Sequence, residues 1–216
     1  NVAPSDRRSA EKILGRLKQL YPEPRHYLEF EGPFQLLVAT ILSAQCTDER
    51  VNMTTPALFE RYPDAAAFAA APLEDIEEAV RPTGFFRNKA KSIKAASGMI
   101  ISDFGGEVPA DMDSLTRLPG IARKSANAIL QHGFSRTEGI VVDTHVIRVA
   151  GRLGWTDLKD PLKIERDLME LFPRSEWKWL PFYLKNHGRT VCRAPRPRCG
   201  ECAIAPLCPS AEKGKS

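Results

Sequence analysis

Four of the five cysteines, Cys192, Cys199, Cys202 and Cys208, fall within the last 25 residues in the spacing C-x6-C-x2-C-x5-C, while Cys46 stands alone. A disulfide scaffold would spread its cysteines through a shorter chain, so thiols clustered at one end read as a metal site in a reducing compartment. Two occupants suit four thiolates. Tetrahedral zinc is usually held by two tight C-x2–4-C knuckles, of which only Cys199/Cys202 is one. A [4Fe–4S] cube is the other. Between the first two cysteines, Arg193-Ala194-Pro195-Arg196-Pro197-Arg198 joins two stiffening prolines to three arginines. A stiff cationic loop suits backbone phosphates, which are met by charge rather than by sequence.

A second set of candidates lies mid-chain. In Leu118-Pro119-Gly120-Ile121-Ala122-Arg123-Lys124-Ser125-Ala126-Asn127 one helical pattern enters a Pro-Gly hairpin and another leaves it. Gly120 supplies the positive φ of a sharp reversal. The outgoing helix carries Ala126, Ile129, Leu130 and Gly133 as an i, i+3, i+4, i+7 stripe. Its first N–H groups lack helical partners and its dipole favours an anion such as a DNA phosphate. Lys124 points away from the stripe, as an ordinary solvated lysine also would. Lys124-Ser125 lacks the preceding glycine of a P-loop, so no nucleotide cofactor is expected. Downstream, Asp143-Thr144-His145 follows the β-branched Ile140-Val141-Val142, and Asp143 reads as an N-cap whose carboxylate stays ionised at a positive helix end.

The elements that must hold these residues are helices. Ser5 is placed to cap a first helix with Ala10, Ile13, Leu14, Leu17 and Leu20 at helical spacing, ended by Tyr21-Pro22-Glu23-Pro24. Pro33 opens an apolar helix through Phe34, Leu37, Val38, Ile41 and Leu42, after which Thr47 caps the next. Pro56, Pro63 and Pro72 punctuate short helical pieces. A long helix with Ala90, Ile93, Ser97, Ile100 and Phe104 stops at Gly105-Gly106. Further helices start at Asp143, with Gly154 as C-cap, at Asp160-Pro161, and at Ser175, the last running as one helix to Gly188. No pair of strands is recognisable, and the fold class is all-α.

The 216 residues suffice for one large domain or two small ones, and 43% hydrophobic with 27% charged residues suits a soluble globular protein. A formal charge of +4 permits nucleic-acid binding without demanding it. No apolar run approaches a membrane span and the first residues hold no signal-peptide core, so the expectation is a cytoplasmic protein with no membrane partner.

The hairpin, the Val142-Asp143-Thr144-His145 segment and the cysteine spacing together resemble the helix–hairpin–helix DNA glycosylases, most of all the endonuclease III family, over nearly the whole chain. The resemblance implies a helical barrel domain near residues 26–135 containing the hairpin. It implies a discontinuous iron–sulfur domain from 1–25 with 136–216, and an active site in the cleft between the two. It implies a [4Fe–4S] cluster on Cys192, Cys199, Cys202 and Cys208 that holds the arginine loop in shape. Lys124 stands where the family's catalytic lysine falls, and Asp143 where its catalytic aspartate falls. Gln45, in Leu42-Ser43-Ala44-Gln45, and Phe85, in Gly84-Phe85-Phe86, stand where the family fills the hole left by a flipped nucleotide. With Gly120, Ala122, His145, Arg193, Arg196 and Arg198 they make the expected DNA contacts. Two positions depart from the pattern. Phe85 replaces the usual leucine, and Ala122 replaces a second hairpin glycine, where a left-handed backbone would cost roughly 1 kcal/mol.

The implied activity is a bifunctional DNA glycosylase and AP lyase that excises oxidised or saturated pyrimidines from damaged double-stranded DNA, acting as a monomer. In that chemistry a carboxylate stabilises an oxocarbenium-like sugar, and a neutral amine bonds C1′. The Schiff base then acidifies the 2′ position and the 3′ phosphate leaves by β-elimination. Reaching C1′ requires the nucleotide to be flipped from the stack. A monofunctional adenine or mismatch glycosylase shares the cluster and the aspartate but generally has no lysine at the position of Lys124. A non-catalytic helix–hairpin–helix DNA-binding protein would not need Lys124 and Asp143 together. An iron–sulfur electron carrier would not need the DNA-binding features.

Overall fold

Prolines and short polar side chains start most of the helices, and apolar stripes decide what each one packs on. The computed structural model describes residues 4–211, among which there are twelve α-helices and no strand. No helix among them is long and apolar enough to cross a membrane.

Helix α1 (Pro4–Leu20) buries Ala10, Ile13, Leu14 and Leu17. It begins before Ser5, which therefore lies in its first turn rather than ahead of it, and the Ser5 side chain lies outside the described residues. In α2 (Pro33–Leu42) the proline occupies the first turn, where a missing N–H costs nothing. The Thr47 hydroxyl caps α3 (Asp48–Arg61), accepting from the Arg50 N–H at 3.2 Å. Pro56 does not break α3, contrary to the sequence expectation. It faces solvent while Val51, Thr54, Thr55 and Leu58 are buried, and that burial outweighs a proline's interior cost of about 3 kcal/mol.

Helices α4 (Ala65–Ala70) and α5 (Leu73–Val80) lead through a 3₁₀ turn at Arg81–Thr83 into α6 (Phe86–Phe104). Gly105 and Gly106, at φ +64° and +91°, end α6, with the Gly106 N–H returning to the Ile100 carbonyl at 3.0 Å. Then come α7 (Met112–Arg117), α8 (Arg123–Gly133), α9 (Thr144–Arg152) and α10 (Pro161–Leu171), the last capped by Asp160. The helix expected from Ser175 to Gly188 is two, α11 (Arg174–Trp177) and α12 (Leu180–Thr190). Pro181 has no N–H to give the Trp177 carbonyl, and the chain turns at Lys178-Trp179.

The chain divides into two compact units. In His26–Arg136, α4 and α5 pack on α6 and α2 packs on α8, around a core that includes Leu36, Phe68, Ile93 and Leu130. Among the described residues, the other unit joins 4–25 to 137–211. There α9 packs on α12, and α1 on α10 and α12, around Leu17, Val146, Leu168 and Leu184. Helices α9 and α12 cross at Gly188: a side chain there would come within 3.0 Å of His145 Nδ1 and Arg148 Nη2.

Candidate active site and cysteine loop

The hairpin between α7 and α8 is shaped by one glycine. Gly120 adopts φ +84°, and a Cβ on it would stand 3.0 Å from Ser92 Cβ of α6 and 3.4 Å from Ile41 Cγ1 of α2. Both conformation and space exclude other residues. Ala122, at φ −95° and ψ 170°, is extended rather than left-handed, so the strain expected there is absent. The reversal is complete at Gly120, and Ala122 has the ordinary backbone of an N-cap. Its methyl offers no acceptor, and the first turn of α8 contains no acidic residue. Arg123 and Lys124 are exposed in that turn, while Ala126, Asn127, Ile129 and Leu130 are buried. An uncapped helix end flanked by two cations is suited to an anion.

Asp143 is the N-cap of α9, half-buried, with Oδ1 accepting from the N–H groups of His145 at 2.8 Å and Val146 at 2.9 Å. His145 Nδ1 accepts from Arg148 Nη2 at 3.1 Å, because a guanidinium can only donate. Burial pushes the pKa of this imidazole down; Asp143 opposes the shift, and Arg148, Arg189 and Lys185 add to it. The neutral ring therefore carries its proton on Nε2. Lys124 and Asp143 belong to separate units.

Gln45 and Phe85 share an unusual backbone. Their φ values are +51° and +48°, and both side chains are exposed, Phe85 by 62%. A left-handed non-glycine residue costs on the order of 1–2 kcal/mol. Gln45 follows α2 and Phe85 precedes α6, the two helices on which Gly120 rests. Arg81 and Arg87 lie 5.0 Å and 5.3 Å from the ring centre of the neighbouring Phe86. Sequence reasoning missed Lys89, which is buried and donates from Nζ to the Thr83 carbonyl at 2.8 Å, just ahead of Phe85. Burial pushes its pKa down. The available signal was a lysine four residues before Ile93, on the buried face of α6.

The four C-terminal cysteines are free thiols lining one cavity of about 70 Å³ with Val149, Leu153 and Ile204. Short turns place them: Cys192 N–H donates to the His187 carbonyl at 2.8 Å, and Cys202 N–H to the Cys199 carbonyl at 3.2 Å. Burial pushes the thiols of Cys202 and Cys208 up, and the neighbouring cysteines add to it. Four thiolates in such a pocket require a cationic centre between them, and the all-sulfur donor set suits iron or zinc. No three His, Cys, Asp or Glu side chains among the described residues are placed to hold a single metal ion. His187 Nε2 lies 3.6 Å from Cys202 Sγ, and Arg152 contacts Cys192. Arg193 and Arg196 are exposed, and Arg198, also exposed, is committed to the loop. Its Nη2 donates to the Thr190 carbonyl at 2.7 Å and its Nη1 pairs with Glu201 at 3.1 Å.

Residues 38–174 match the HhH-GPD superfamily of base excision DNA repair proteins. Over 208 residues the chain is 54% identical to the endonuclease III of Synechocystis sp., covering 96% of this chain and 95% of that protein. Its fold matches a non-covalent endonuclease III–DNA complex with a TM-score of 0.91 at 38% identity, covering 96% of this chain and 97% of that one. A trapped endonuclease III–DNA covalent intermediate, an estranged-adenine complex, matches with the same score, identity and coverage.

Proposed function

The chain belongs to the endonuclease III family within the HhH-GPD superfamily, and from that premise we propose how its residues divide the work of base excision. It is a DNA glycosylase and AP lyase acting on damaged DNA. Its substrates are oxidised or saturated pyrimidines in duplex DNA, and it acts on them as a cytoplasmic monomer without a nucleotide cofactor. His26–Arg136 is the helical barrel domain, and the discontinuous unit is the iron–sulfur domain.

Lys124 is the nucleophile. As the glycosidic bond breaks, the Asp143 carboxylate stabilises the developing oxocarbenium ion, and the neutral Lys124 amine bonds C1′. Opening of the sugar ring at C1′–O4′, with the amine proton passing to O4′, turns this adduct into a Schiff base. The Schiff base acidifies the 2′ position, a proton leaves there, and the 3′ phosphate departs by β-elimination. Gln45 and Phe85, held outward by their left-handed backbones, fill the space of the flipped nucleotide. Arg193 and Arg196 meet backbone phosphates. His145, with its Nε2 proton, is a further neutral donor to DNA. Cys192, Cys199, Cys202 and Cys208 hold a [4Fe–4S] cluster, which when bound fixes the shape of the arginine loop.

The observation that carries this reading is the first turn of α8. Its uncapped N–H groups, beside Gly120 and Ala122, suit a DNA phosphate, and Lys124 in the same turn is exposed on the face away from the core. One helix end thus supplies both the phosphate site and the nucleophile. Borohydride trapping on duplex DNA containing thymine glycol tests it. The native protein should form a covalent complex, and Lys124→Gln should bind the same DNA yet form none and leave the strand intact. Normal trapping by Lys124→Gln would refute the nucleophile assignment. No trapping by the native protein would favour the monofunctional or binding-only alternatives.

A further inference from the structure

Arg152, the last residue of α9, reaches across to the start of the C-x6-C segment. Its Nη1 donates to the Arg193 carbonyl at 2.7 Å and the Cys192 carbonyl at 3.4 Å, and its Nη2 to the Ala194 carbonyl at 2.8 Å. The same Nη1 lies 3.3 Å from Cys192 Sγ. The backbone carbonyl of Arg152 stands 3.6 Å from Cys208 Sγ, so this one residue touches two of the four cysteines. No carboxylate among the described residues pairs with it; its partners are carbonyl oxygens and sulfur. Arg148 holds the Cys192 carbonyl from the previous turn of α9, at 3.3 Å, but not the sulfur.

From this geometry, and resting on the [4Fe–4S] reading above, we infer that Arg152 is a positioning residue for the cluster. It clamps residues 192–194 and directs a charge-assisted N–H onto the Cys192 sulfur, raising the cluster's reduction potential and slowing its loss. The physical reason is short. A guanidinium stays charged at every accessible pH, so the contact is permanent. A positive charge and an N–H aimed at a ligating thiolate draw electron density from the iron and favour the reduced state. The three carbonyl contacts act separately, by keeping the loop's first turn from opening.

Those two effects separate in variants of the iron-loaded protein. Arg152→Gln removes the charge and the fork, so its one-electron midpoint potential should move to more negative values, and cluster absorbance should be lost to a chelator several-fold faster than in the native protein. Arg152→Lys keeps a cation beside Cys192 but cannot span Cys192 and Ala194 together. Its potential should return most of the way to the native value while its cluster loss stays fast. Native potentials and loss rates in both variants, with iron retained, would overturn the inference. Should Arg152→Gln retain no iron, Arg152→Lys decides alone, and a native loss rate in it overturns the clamp. Native protein that takes up zinc and no iron would overturn the cluster reading itself, and the inference with it.

Discussion

Helices α8 and α9 begin in opposite ways. The N-terminus of α8 is preceded by Ala122, has no side-chain acceptor and carries Arg123 and Lys124 in its first turn. The N-terminus of α9 is closed by Asp143, whose carboxylate takes two backbone N–H groups. The same electrostatic slot is left for an external anion in one case and filled by the protein's own charge in the other. An open end can recruit a phosphate next to Lys124, the nucleophile proposed above. A closed end fixes a negative charge in place, and a fixed charge needs no reorganisation when a cation develops near it.

Several changes would break or sharpen that contrast. The largest effect is expected from Asp143→Asn, which keeps the cap, since asparagine also caps helices, but removes the charge. Base excision should fall by at least roughly two orders of magnitude, the scale of one lost electrostatic stabiliser, with little change in melting temperature. Cleavage of a preformed abasic site should fall less, and equal losses on both substrates would move Asp143 to a role in activating Lys124. Next, Ala122→Asp would close α8 as α9 is closed. The backbone at this position already suits a cap, so stability should rise by about 1 kcal/mol. DNA affinity should fall tenfold or more, reflecting charge-assisted hydrogen bonds worth roughly 1.5–3 kcal/mol. A raised melting temperature with unchanged affinity would show that no phosphate docks there.

Smaller effects should separate the arginines. Replacing Arg193 or Arg196 with Ala should flatten the salt dependence of DNA binding by about 0.9 in slope for each phosphate left without its cation. Arg198→Ala should flatten it less and destabilise the loop, because Thr190 and Glu201 already occupy its guanidinium. The smallest effect concerns His145. Its folded pKa lies below the unfolded value near 6.5, so the unfolded chain binds the proton first as pH falls. Stability should therefore drop from about pH 6.5 downward, by no more than about 1.4 kcal/mol per pH unit for this one group. His145→Gln should flatten melting temperature against pH across that window.

Several helix starts were readable from a local signal, although Ser5 lies within α1 rather than ahead of it. Thr47, Asp143 and Asp160 cap the helices they precede, and Pro33 opens its own. Pro56 and Pro181 mark the limit of such signals, since one is absorbed within a helix and the other parts two helices. Which of these happens depends on the faces buried around the proline, and that is a property of the packed molecule. Gly120 was readable because its turn demands positive φ, whereas the extended Ala122 was not. The roles expected of Lys124 and Asp143 came from resemblance, because an exposed lysine and a capping aspartate are ordinary by residue type. Lys89 had a signal in its place on the buried face of α6, but what it and Arg152 bond to was unreadable. Their partners are the Thr83 carbonyl and the Cys192 sulfur, and folding alone brings those atoms close.

The discontinuous unit has a consequence for the order of events on the ribosome. Helix α1 is made well before α10 and α12, which cover its apolar face of Ala10, Ile13, Leu14 and Leu17. At roughly 5–20 residues per second, α1 waits on the order of ten to thirty seconds for them. His26–Arg136 emerges within that interval with its own core and can fold meanwhile. Among the described helices, α1 is therefore the one whose apolar face stays uncovered longest during synthesis, and the cysteine loop is made only after both of the helices that cover α1.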